Sequence, residues 1–80
     1  MDIQLIKGEF TANDAIEIMT QIIHAKIKFQ EGKINESSNE EDSKMRERRI
    51  KQLQKNLYDA RHYIEHHKGK ISLESQIHLV

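Results

Sequence analysis

Two stretches decide the fold: AIEIMTQIIHAKIKF, residues Ala15–Phe29, and RERRIKQLQKNLYDARHYI, residues Arg46–Ile64. In the first, Ala15, Ile18, Ile22, Ala25 and Phe29 recur at the alternating three- and four-residue spacing of a heptad seam. In the second, Arg46, Ile50, Leu53, Leu57, Ala60 and Ile64 do the same. Folding the chain back between them sets Phe29 opposite Arg46, Ala25 opposite Ile50 and Ile22 opposite Leu53. Ile18 then meets Leu57, and Ala15 meets Ala60. The residue numbers of every pair share one sum, as an antiparallel register requires. The expected fold is therefore mainly α, an antiparallel, coiled-coil-like two-helix hairpin.

The flanking sequence completes the order β-α-α-β in one domain spanning residues 1–80. Ile3, Leu5, Ile6 and Phe10 around Gly8 read as a strand over about residues 2–9, with a bulge at the glycine. Thr11 offers a cap oxygen to a helix over about residues 12–34, with Asp14 three positions on. The polar run NESSNEED, residues 35–42, supplies a loop over about 35–38. Ser38 and Glu41 form a capping box for a helix over about residues 39–67, and Gly69 ends it. From residue 70 to 79 Ile71, Leu73, Ser75, Ile77 and Leu79 alternate with polar residues, which reads as a half-buried strand. A hairpin returns the chain to its starting pole, so the terminal strands meet there and can pair antiparallel, within one chain or across a dimer.

The first helix carries more apolar surface than one partner helix covers. Beside the seam run Ala12, Ile16, Met19, Ile23 and Ile27, reaching Ile34, with Lys26 and Gln30 inside the arc. A bare stripe of this extent is unusual for a soluble monomer. An 80-residue chain without cysteine also lacks the staples that small domains lean on. Ile16, Met19, Ile23, Lys26, Ile27 and Gln30 are thus expected to form a self-association or partner surface. A homo-oligomer, with a dimer favoured, is the expected state. Arg46 in the seam is expected to lay its stem over Phe29 with its guanidinium in water.

Other chemistry is sparse. Lys44, Arg46, Arg48, Arg49, Lys51 and Lys55 make a basic stripe on the second helix, the alternative reading being an anion site for nucleic acid or a nucleotide. Against it, Glu47 stands four residues before Lys51, and Lys55 four before Asp59, the spacing of solvated-helix bracing. The net charge of zero supplies no global attraction to polyanions. His62 and His66 stand one turn apart and are weak metal candidates, with no third ligand assured. No nucleophile motif, phosphate loop or paired-carboxylate pocket occurs, so neither catalysis nor a cofactor is expected. The N-terminal segment has no basic region before an apolar run, and no stretch reaches membrane-span length. A cytoplasmic location, away from membranes, is the default expectation. The richness in Ile, Lys, Asn, Glu and Gln matches the coding bias of AT-rich bacterial or phage genes. The expected function is a non-enzymatic protein-interaction module: an adaptor, inhibitor or assembly factor.

Overall fold

The computed structural model describes residues 1–80 and shows two helices and a two-stranded antiparallel sheet in the order β-α-α-β. The elements are β1 (Asp2–Phe10), α1 (Ala12–Glu36), α2 (Glu40–Glu65) and β2 (Ile71–His78). Thr11 caps α1 as its spacing predicts, its Oγ1 accepting from the Asp14 N–H at 3.2 Å. The helix runs two residues past Ile34 because Gly32 does not interrupt it, and it ends where Ser37 turns extended. At α2 the cap differs from expectation. Asn39, rather than Ser38, takes the position, and its Oδ1 accepts from the N–H groups of Glu41 and Asp42. The Asn oxygen reaches two of the orphan donors of the first turn, while the acids Glu40, Glu41 and Asp42 lie at the positive end of the helix dipole. α2 stops at Glu65, two residues short of expectation, and Gly69 turns the chain in the left-handed region at φ +82°.

The hairpin forms, but its register is one residue away from the expected one. The Arg46 guanidinium donates to Gln30 Oε1 at 2.9 Å, so Gln30, not Phe29, is its opposite number. Counting antiparallel from that bond pairs Ile23 with Leu53, Met19 with Leu57, Ile16 with Ala60 and Ala12 with Ile64. Ile23 and Leu53 are both buried, and Ala12 and Ile16 pack on the cluster containing Ile64. Burial favours Ile23 over the expected Ile22 as the residue that faces Leu53. The physical reason lies at Arg46. A partly buried guanidinium needs an acceptor; Gln30 supplies one and the Phe29 ring does not. Phe29 stays largely exposed, and the cation above its ring is the Lys33 ammonium, 5.6 Å from the centroid.

The second stripe of α1 is then divided. Ala15, with no exposed surface, lies in a cluster with Ile64 and Ile71, against which Phe10, Met19 and Leu73 also pack. Its small side chain lets the ribbon approach the helices. Further along the stripe Ile18 and Ile22 are half-buried, while Ala25 and Phe29 are exposed.

β1 and β2 pair from Phe10 opposite Ile71 to Asp2 opposite His78. The bulge sits at Leu5, where the register shifts between Gln4 and Ile6, and not at Gly8. The Gln4 side chain fills the gap, donating to the carbonyls of Ile6 and Ser75 at 2.9 and 3.0 Å. Only the base of this ribbon touches the helices; the rest stands out as an arm. The Cα extents are accordingly 47 × 33 × 13 Å.

Candidate interaction surfaces

The residues assigned from sequence to a self-association surface divide between inside and outside. Ile23 is buried, Ile16 and Met19 are half-buried against the core, and Ile27 is half-buried. Gln30 is half-buried and bonded to Arg46. Only Lys26 is exposed. Most of this stripe is thus engaged in packing within the chain. One-residue accuracy in the register decides which stripe is free, because neighbouring residues on a helix point about 100° apart.

The basic residues do not converge. Lys44 pairs with Glu40 at 3.3 Å and Lys55 with Asp59 at 3.6 Å, both exposed i,i+4 pairs of small energetic consequence. Arg46 turns inward, its Nε on Asp42 at 3.0 Å and its Nη1 on Gln30. The hydrogen bond from Arg46 holds the Asp42 carboxyl below the usual carboxylate range, against a smaller opposing effect of burial. Arg48, Arg49 and Lys51 are exposed and take no ion pair. Half of the proposed anion stripe is therefore already engaged within the chain.

His62 and His66 stack with ring centroids 6.0 Å apart, between Tyr58 on one side and the end of the helix on the other. His66 Nδ1 lies 2.8 Å from the His62 carbonyl oxygen, an acceptor for the Nδ1–H tautomer. No group of three or more His, Asp or Glu side chains is gathered where a metal ion could be held.

The surface that sequence reasoning missed is the arm. On its apolar side Ile71 is buried and Leu73 half-buried at the base, while Ile3 and Ile77 at 38 and 41% exposure and Leu79 at 50% are bare towards the tip. The Leu5 bulge keeps Ile3 on the same side as Ile77, its cross-strand partner. The alternation in residues 70–79 announced this apolar side. What it did not announce was that the helices cover only half of it.

The backbone of β2 is also informative. The Leu79 N–H donates to the Met1 carbonyl at 2.7 Å, and the Leu79 carbonyl accepts from the Met1 ammonium at 3.0 Å. With the Ser75 carbonyl accepting from Gln4, the odd-numbered residues of β2 turn their backbone groups towards β1. Ser72, Glu74, Gln76 and His78 consequently turn theirs to the open edge of a sheet that has no third strand. No protein-family model, curated protein or solved structure matches this chain. No helix is long and apolar enough to cross a membrane.

Proposed function

We propose that this chain is a small non-enzymatic protein-interaction module, an adaptor, inhibitor or assembly factor, that works as a homo-oligomer. The observation carrying the reading is a shortage of burial. Only five of 80 residues are buried, and none of the large side chains is fully enclosed. The accessible surface is 6408 Å². A compact monomer of this mass would expose about 5,000 Å². The surplus of roughly 1,400 Å² per chain exceeds the half-share of a standard protein–protein interface and fits that of an obligate dimer. The radius of gyration, 15.1 Å, tells the same story against about 12 Å for a compact chain of this length.

A zero net charge removes the long-range repulsion that would keep copies apart. The anion-binding alternative has less behind it, since Lys44, Arg46 and Lys55 are committed to acids of their own helix. Sedimentation equilibrium over a dilution series tests the oligomer. The expected result is a dimer at micromolar concentration whose melting temperature rises with concentration. A cooperatively folded monomer with a concentration-independent melting temperature would sink the reading.

A further inference from the structure

We propose that the open edge of β2 is the dimerisation edge: two copies of this chain join their β2 strands antiparallel about a two-fold axis at Ser75, forming a four-stranded sheet. The proposal rests on the homo-oligomer reading above and names its interface.

The two edges of the ribbon are unlike. The outer edge of β1 is blunted by the bulge at Leu5 and by Lys7 and Glu9. The outer edge of β2 has no proline, lysine or bulge, and Glu74 is its only acid. Proteins guard exposed edges with such devices, and an edge without them is a template for another strand.

The register of the join follows from the backbone. The outward groups of β2 belong to even-numbered residues. A hydrogen-bonded pair sets two such residues opposite each other, so their numbers must add to an even value. The strand Ile71–His78 is centred between Glu74 and Ser75, so full overlap leaves a choice between axes at those two residues. An axis at Glu74 opposes two carboxylates directly, which is destabilising. An axis at Ser75 opposes none. It sets Glu74 against the partner's Gln76, Ser72 against the partner's His78, Leu73 against the partner's Ile77 and Ile71 against the partner's Leu79.

This register also covers the bare tip. Ile77 and Leu79 of each arm come to lie beside the base of the other copy, where Leu73 and Ile71 meet the helices. One continuous apolar face then runs across all four strands. A ribbon of two strands is marginal alone, and four strands packed on helices are not. The partner is a second copy because the pattern is complementary to itself under a two-fold rotation, the symmetry of an isologous dimer.

The chain has no cysteine, so single-cysteine variants report without background. At the axis the two Ser75 residues form a non-hydrogen-bonded pair, with Cα atoms about 4.5 Å apart and within disulfide reach. Under mild oxidation Ser75→Cys is expected to give a covalent dimer, and Ser72→Cys is expected to stay uncrosslinked. A second measurement does not depend on disulfide geometry. Gln76→Glu places like charges against Glu74 at two symmetric sites and weakens self-association about 2- to 30-fold; Gln76→Lys strengthens it by a similar factor. Directly across its own ribbon Gln76 faces neutral Gln4; Glu74 of the same strand is two residues away, so the melting temperature of the dissociated chain is measured alongside to separate that intrachain contribution. Indifference of the dimer to both Gln76 changes overturns the edge while leaving the homo-oligomer reading intact, as does equal crosslinking of Ser72→Cys. A wild-type chain that sediments only as monomer overturns both.

Discussion

Arg46 and Gln30 are joined across the hairpin by a 2.9 Å hydrogen bond, and seven residues along each helix from it lie Ile23 and Leu53, both buried. The polar rung ties the two helices at the loop end, and the apolar rung one heptad away supplies burial. A single polar contact in a seam is a known device for selecting one alignment among several.

Breaking that rung should cost more than an exposed contact. Gln30→Ala leaves a partly buried guanidinium short of an acceptor and is expected to destabilise by about 1–2 kcal/mol. A double-mutant cycle with Arg46→Met measures the coupling by chemical denaturation at fixed protein concentration. Strict additivity of the two changes would show that the bond does not set the register.

The one-residue register can be read from two neighbours. Ile23→Ala empties a buried site and is expected to cost about 2–4 kcal/mol. Ile22→Ala, at a half-buried position, should cost less than about half as much. Urea unfolding of both variants decides the matter, and equal losses would restore the alignment of Ile22 on Leu53.

The start of α2 makes a similar contrast. Asn39→Ala removes the acceptor for two first-turn N–H groups and should destabilise by about 1 kcal/mol. Ser38→Ala touches no cap and should leave the melting temperature unchanged. The reverse order would reinstate Ser38 as the cap.

Acid should loosen the loop end of the hairpin. The Asp42 carboxyl titrates below its ordinary value of 3.8, chiefly because Arg46 donates to it. A depressed folded value means that its contribution is fully present above the ordinary value and is lost as pH falls through the folded one. Asp42→Asn should therefore melt below the wild type near neutrality, the gap closing in strong acid. A gap that stays constant from about pH 6 to about pH 2 would separate Asp42 from the stability of the fold.

The hairpin and its element order were legible because heptad spacing, caps and strand alternation are local signals that agree with one another. Residues 15–29 and 46–64 carried enough periodicity to specify two antiparallel helices. The choice between Ile22 and Ile23 was not legible from apolar spacing, since α1 has two stripes and each aligns with α2. What separates them is the need of Arg46 for Gln30, a polar requirement that hydrophobic patterning ignores. Much of the stripe offered as a docking face consequently packs within the chain. The reach of the arm beyond the helices was hidden for a different reason: alternation reports which side of a strand is apolar, and says nothing of how far a neighbouring element extends over it. Nor did it locate the bulge, because Gly8 looked the more permissive site while the phase of Ile3 relative to Ile77 demanded the extra residue at Leu5.

That extra residue has a use beyond keeping phase. The proposed four-stranded sheet would present two copies of β1 as its outer boundaries, each with the bulge at Leu5. Deleting Leu5 leaves every cross-strand partner in place, since Gln4 and Ile6 already face the adjacent residues Gln76 and Ser75. In the proposed dimer it would straighten that boundary and leave Lys7 and Glu9 as its guards, so filament growth, visible as light scattering that climbs with time, is expected when the deletion is combined with neutralisation of both charges. In that dimer, one leucine out of step with its strand would stand with Lys7 and Glu9 between a closed pair and further growth.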